Sequence, residues 1–492
     1  MPLFADAFSS YRRPVVRGLR GAVASAHPLA TAAGQEILAA GGNAADSLIA
    51  AQAVLAVIAP DACGIGGDML ALVRDPDGSV TAVGGTGKSP IAMTEASGDG
   101  ANSITVPGLA DAWETIARRW GAMPLSQCLA PAIRIARAGM VATPALVRAV
   151  AAQRHRLLAG GAQDWIVLNA RERATIVQPA LARLLERIGT EGAQAFYRGE
   201  AARAVETAIA RLGGTLTRED LATHETLVSA PVTSALGEWT LHVQPAPTQG
   251  ILLAMALRAR QPFGALSADR TDHIGIELAE AAFAHRSDCA NGQDLLARAL
   301  AIDPDRASRR GGPRAYLHTA GVCTSDASGL TLSSLVSVFD DFGSGVFVPD
   351  LGITLNNRAG GFTNGANAAA PGKRPVHTLA PMMLDGPQGA IAMATPGADG
   401  QVQTLLQVVG RIIHGEETLD AAIAAPRWRS EGGRILIERD HPAIADLAAR
   451  GHDLEPLAPG EMRFGAVVAA GHAQGGPFAV SDWRRECWSG VA

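Results

Sequence analysis

Residues 28–60 are the most restrictive part of this sequence, because they read as two consecutive helices with one break. From Pro28 to Ala40 the apolar positions Leu29, Ala33, Ile37 and Leu38 recur at helical spacing, and Gly41-Gly42 end the run. Asn43 can cap a second helix that carries Ala45, Leu48, Ile49 and Leu55 up to Pro60. Its apolar run, Leu48 to Pro60, contains Gln52 and is too short to span a bilayer. The chain is 48% hydrophobic and 18% charged, so it can bury a substantial core. At 492 residues it has room for one large domain or two to three ordinary ones.

The segment Cys63-Gly64-Ile65-Gly66-Gly67-Asp68 turns into a strand, Met69 to Val73, and Asp75-Pro76-Asp77-Gly78 reads as the hairpin turn after it. Helices are expected at Leu109–Arg119, Ala130–Ala138, Ala180–Ile188, Ala201–Leu212 and Val402–His414. Strands are expected at Val336–Phe339, Ser344–Val348, Gly352–Leu355 and Ala390–Ala394. The stretch Ala282 to Arg314 is less apolar and contains Pro304, Arg309-Arg310 and Gly311-Gly312-Pro313, so it reads as an exposed linker leading to Thr319. The pattern is mixed α and β.

Several function classes drop out. A net charge of -5 without a long run of one sign gives no footprint for nucleic acid. Cys63, Cys128, Cys289, Cys323 and Cys487 are scattered and lack CxxC spacing, which argues for buried free thiols over disulfides or zinc. The histidines are dispersed and HExxH is absent, so no metal site is expected. The N-terminal apolar stretch is too short and interrupted for a signal-peptide core, and the expectation is a soluble, cytoplasmic protein with no membrane partner. The run Ala82-Val83-Gly84-Gly85-Thr86-Gly87-Lys88-Ser89 nearly spells a phosphate-binding loop. It lacks the first glycine, and Pro90 pushes Ser89 away from helical angles. No cofactor is implied.

A set of stretches resembles the γ-glutamyltransferase family in order and spacing from about residue 20 to about residue 430. They are Ala24 to Thr31, Gly41-Gly42-Asn43-Ala44-Ala45-Asp46 and Gly64-Ile65-Gly66-Gly67-Asp68. Next come Val106-Pro107-Gly108-Leu109 with Trp113, and Leu129 to Ile133. Phe196-Tyr197-Arg198-Gly199, Gly213 to Thr217 with Asp220-Leu221, and Pro247-Thr248-Gln249-Gly250 follow. The last are Phe342-Gly343-Ser344-Gly345, Leu355-Asn356-Asn357-Arg358 with Phe362, Pro371 to Pro375, and Ala425-Pro426-Arg427-Trp428.

The resemblance implies an α+β fold, the four-layer αββα sandwich of the N-terminal nucleophile hydrolases. It also implies a precursor that cuts itself. The family's new N-terminus is a threonine seven residues before an aspartate at a strand turn. Counted back from Asp326, that is Thr319, with cleavage between His318 and Thr319. The products would be a large fragment, 1–318, and a small one, 319–492, interwoven in one core. A dimer of such pairs stays open. The freed α-amine, with an ordinary pKa near ~8, would serve as the base that activates the Thr319 hydroxyl toward an amide carbonyl. Thr395-Pro396-Gly397-Ala398-Asp399-Gly400 falls where the family keeps its oxyanion loop, making the Gly397 and Ala398 amides the candidate donors. Ser337 falls where a second hydroxyl contacts the nucleophile. Read without the family, Thr319 is a loop threonine, Ser337 a strand serine and the 395–400 segment a turn.

The set that binds the α-carboxylate and α-amine of glutamate is largely replaced. Thr86 stands at the carboxylate-binding arginine position, with Lys88 nearby as a point charge, not a bidentate fork. Gly361 replaces an aspartate, Phe339 an asparagine, and His377-Thr378 a pair of serines. This pattern resembles the oxamate amidohydrolase-like and acylase-like branch. Asn357, Arg358, His377 and Thr378 join Thr86 and Lys88 as candidate substrate residues, with Arg358 suited to a small carboxylate. The expected activity is hydrolysis of a small, oxamate-like amide. The alternatives are a γ-glutamyl hydrolase or transferase with an altered donor pocket, and an unprocessed, non-catalytic family member. Gly321, close after Thr319, weakens a strand and is the departure that favours the last.

Overall fold

A computed structural model describes residues 11–312, 319–415 and 417–492. The helices α1 (Pro28–Ala39) and α2 (Ala44–Ile58) form as their spacing predicts. Asn43 Oδ1 accepts the Ala45 and Asp46 amides at 3.0 and 3.1 Å, and the Asp46 carboxylate returns a bond to the Asn43 amide at 3.0 Å. This capping box satisfies donors that a helix start leaves open. Every residue of α2 is buried, as an all-round apolar helix requires. Of its polar side chains, Gln52 donates to Ser334 Oγ at 2.7 Å and accepts from Trp113 Nε1 at 2.9 Å.

Two seven-stranded antiparallel sheets form the centre. In the first, the order is Trp488–Val491, Gly21–Ser25, Ala320–Asp326, Thr331–Ser337, Asp68–Arg74, Val80–Gly85 and Leu227–Ser229. In the second it is Val16–Arg17, Gly476–Ser481, Val468–Ala473, Gly389–Ala394, Met382–Gly386, Trp239–Val243 and Val232–Leu236. Segments from either side of position 319 are therefore paired in both sheets.

Strand alternation sorts side chains into three cores. Leu70, Leu72, Cys323 and Leu335 of the first sheet meet Met383, Ala392, Val468 and Ala470 of the second. The opposite face of the first sheet, with Met69, Ala71, Val73, Val322 and Val336, packs on α1, α2 and their helical neighbours. The outer face of the second, with Leu241, Val243, Met382 and Leu384, packs on the helices Gly250–Arg260 and Gly400–His414. The result is the expected four-layer αββα sandwich. All five cysteines are buried free thiols, and burial pushes each one's pKa up. Among the described residues no helix is long and apolar enough to cross a membrane.

Some expectations need correction. The stretch from Ala282 is not a bare linker. Ala282 and Phe283 close the helix Ala268–Phe283, and Arg286–Ala297 forms 3-10 turns that bury Cys289 and Leu295. Further on, the Ser308 and Arg310 amides donate to the Glu277 and Glu280 carboxylates at 2.9 Å each, which supplies partners to two buried acids. The strand expected at Val336–Phe339 is Thr331–Ser337, because Phe339 turns to φ 85°. Those expected at Ser344–Val348 and Gly352–Leu355 shrink to the paired Phe347–Val348 and Ile353–Thr354.

Candidate active site

Thr319 immediately precedes the strand Ala320–Asp326, the third of seven in its sheet, and is buried. Its Oγ1 lies 3.5 Å from Ser337 Oγ, which accepts the Phe339 amide at 2.9 Å. Antiparallel register brings them together, since Ala320 pairs with Val336. Gly321 has a packing reason. A Cβ there would sit 3.0 Å from Val468 Cγ2 and 3.2 Å from Ala394 Cβ, so the glycine lets the second sheet approach beside Thr319. His318, the other half of the expected cleavage site, lies outside the described residues.

On the next strand, Asp68 pairs with Ser337. Gly67 makes this approach feasible, because a Cβ there would collide with the Ser337 carbonyl. Asp68 Oδ2 accepts from Arg358 Nε at 3.0 Å and from His377 Nε2 at 3.3 Å. His377 Nδ1 accepts the Leu379 amide at 3.2 Å, which puts the ring proton on Nε2. Burial, helped by the Arg358 charge, lowers His377 to about 4, so it is neutral near pH 7. Burial opposes the Asp68 charge, but the His377 hydrogen bond and the Arg358 guanidinium outweigh it and hold the carboxyl below its ordinary value. Burial lowers the Arg358 pKa. Arg358 also reaches Thr378 Oγ1 at 3.4 Å, and its Cζ lies 4.5 Å from the Phe339 ring centroid. Asp68 Oδ1 and Arg358 Nη2 are buried and have no hydrogen-bond partner among the described residues.

The segment 395–400 joins the strand Gly389–Ala394 to the helix Gly400–His414. Gly397 has φ 124° and Ala398 φ 46°, so both lie in the left-handed range. Among the described residues neither amide donates to a backbone carbonyl. Gln249 Nε2 donates to the Ala398 carbonyl at 2.8 Å and also to that of Thr378, tying this loop to the Arg358 cluster. Arg286 Nε holds Asp399 Oδ1 at 2.9 Å.

A cavity of about 250 Å³ opens at Thr319. Leu55, Ile58, Ala59 and Leu146 are among its apolar walls, Pro396 lines it from the loop just described, and Asp61 and Glu486 bring carboxylates. None of the substrate residues expected from sequence lines it. Thr86 is buried and uses its carbonyl to accept Arg374 Nε at 2.7 Å. Lys88 is exposed. Asn357 is committed to Asp340 Oδ2 at 2.7 Å, the Gly98 carbonyl at 3.0 Å and the Asp340 amide at 3.0 Å. Arg358, His377 and Thr378 form the buried cluster around Asp68. Asp68 and Gln249 had stood out only as letters of motifs. A buried charge and a buried amide need partners, but the sequence does not say which.

A family model described as Gamma-glutamyltranspeptidase matches residues 30–489. The chain belongs to the γ-glutamyltranspeptidase family. It is 32% identical to the oxamate amidohydrolase proenzyme of Klebsiella pneumoniae, over 89% of this chain and 92% of that one. It is 30% identical to the acylase ACY 1 proenzyme of Pseudomonas sp. strain SE83, over 98% and 97%. The crystal structure of cephalosporin acylase from Bacillus halodurans superposes with a TM-score of 0.90 at 29% identity, covering 100% of this chain and 99% of that one. In family and fold this chain is an N-terminal nucleophile hydrolase, similar to members of the oxamate amidohydrolase-like and acylase-like branch.

Proposed function

We propose that the chain cuts itself between His318 and Thr319, and that Thr319 then hydrolyses a small amide that is not γ-glutamyl. The observation that carries this reading is the Thr319 hydroxyl, 3.5 Å from Ser337 Oγ and lining the cavity. After cleavage the Thr319 α-amine accepts the hydroxyl proton as Oγ1 attacks the carbonyl carbon. The Gly397 and Ala398 amides stabilise the resulting oxyanion. The C–N bond breaks, the proton leaves with the amine, and water resolves the threonyl ester to a carboxylic acid. Fragments 1–318 and 319–492 stay together because strands of one pair with strands of the other in both sheets.

Similarity to an oxamate amidohydrolase supports a small carboxylate-bearing acyl group. Arg358, with its unpartnered Nη2, is the candidate to meet that carboxylate. A γ-glutamyl donor is disfavoured because Gly361 offers no side chain to its ammonium. The packing reason for Gly321 removes the argument for a non-catalytic member.

Intact-mass analysis with N-terminal sequencing tests the reading. A fragment beginning Thr319-Ala320-Gly321, together with oxamate turnover, is expected. A single uncut chain after prolonged incubation would overturn it.

A further inference from the structure

The strand order gives Thr319 two chemically different flanks. On one side stand Ser337 and then Asp68, with Arg358 and His377 behind them. On the other side is the strand Gly21–Ser25, continued by Ala26, whose amide donates to the Gly321 carbonyl at 3.1 Å. The cavity is bounded by Ala26 and His27, on this second flank. Its walls are mostly apolar, from the end of α2 and the start of the helix Pro144–Ala159.

Two carboxylates, Asp61 and Glu486, and two guanidiniums, Arg148 and Arg485, line the cavity. His27 Nδ1 accepts the Leu29 amide at 3.1 Å, and burial lowers its pKa to about 4, so the ring is neutral near pH 7. Its Nε2 lies 3.7 Å from Glu486 Oε2. Asp61 is buried in the wall, and Arg148 lines the cavity from an exposed position. The nitrogen of an amide is uncharged until the C–N bond breaks, so it is the apolar wall that an amine substituent of the substrate meets.

We infer that this cavity holds the leaving half of the substrate: its apolar walls and Thr319 together select amides of primary amines with an apolar alkyl or arylalkyl body. The inference rests on Thr319 as the nucleophile and adds the identity of the amine to it. Unsubstituted oxamate, which releases ammonia, leaves the cavity unused. An N-benzyl oxamate fills it.

The test uses the full chain and two readouts. The first is titration calorimetry of N-benzyl oxamate against Thr319→Ala protein, with and without Ala145→Phe. Ala145 is half-buried at the cavity wall, so a larger side chain can enter the space without replacing core packing. Ala145→Phe is expected to weaken binding roughly tenfold or more. The second compares kcat/KM for N-benzyl oxamate and oxamate in the Thr319-containing protein. The ratio is expected to exceed one and to fall in the order Ala145, Ala145→Leu, Ala145→Phe. Unchanged binding in Ala145→Phe, or a ratio indifferent to position 145 in fully processed protein, would overturn the inference. Absence of self-cleavage would instead sink the nucleophile reading, and calorimetry would still report on the cavity.

Discussion

Asp68 stands directly opposite Ser337 on the neighbouring antiparallel strand, and Ser337 Oγ lies 3.5 Å from Thr319 Oγ1. A buried, ion-paired carboxylate is thus one strand away from the hydroxyl pair at the proposed catalytic centre. The loops that carry its partners, Arg358 and His377, are fixed through it.

Thr319→Ala is expected to yield one uncut chain with no amide turnover. Ser337→Ala removes one hydrogen-bonding hydroxyl and should slow self-cleavage roughly fivefold, since such a bond contributes about 1 kcal/mol. Time courses on denaturing gels check both. Normal cleavage in Thr319→Ala would remove Thr319 from the mechanism.

Arg358→Met leaves Asp68 buried without its cation. Breaking a buried pair from one side costs about 3–5 kcal/mol. The expected outcome is a large drop in the urea midpoint. The double variant Arg358→Met, Asp68→Leu should recover much of it, and an additive loss would contradict the pairing as the cause.

His377 sets a pH dependence. Its folded pKa is about 4, below the ordinary ~6.5. Between these values the unfolded chain takes up a proton that the fold refuses, so stability is lost as pH falls through this window. Asp68 acts in the same direction at lower pH: its contribution is present above the ordinary carboxylate range and lost as pH falls through its depressed folded pKa. His27, His224 and His452 are also lowered to about 4, so the loss is collective. Urea midpoints at pH 7 and pH 4.5 should differ less for His377→Asn than for the wild type.

Ala398 holds φ 46°, a conformation that costs an L residue about 1–2 kcal/mol and glycine little. Ala398→Gly keeps the amide and should raise stability by up to ~1 kcal/mol, with turnover changed by only a few fold. Calorimetric melting with steady-state kinetics reads both.

Gly321→Val should do the reverse. Its side chain would press on Val468 and Ala394, and overpacking of this kind typically costs about 1–3 kcal/mol. A lower melting temperature is expected, with slower self-cleavage because Thr319 is two residues away. An unaffected variant would show that the two sheets can part there.

Much of the architecture was legible in the sequence. The periodicity of residues 28–58, the Asn43 cap and the hairpin turn after Arg74 are local properties, and each forms as expected. The linker before Thr319 was misread because its glycines, proline and charges look solvent-exposed, while its amides satisfy Glu277 and Glu280 on a helix elsewhere. The motif Ala425-Pro426-Arg427-Trp428 was legible only as a family mark. Arg427 is buried against Asp482 at 2.7 Å, a structural ion pair in a cluster with Arg484 and Glu438.

Sequence alone determined the helices and the family register, because these depend on spacing along the chain. Tertiary structure decided which polar groups meet. Asn357 and Arg358 are neighbours in the chain, yet one is used by Gly98 and Asp340 while the other reaches Asp68, 290 positions away. The physical reason is that a buried polar group takes whichever partner the packed sheets and loops bring within about 3 Å, and that choice has no signature in local sequence.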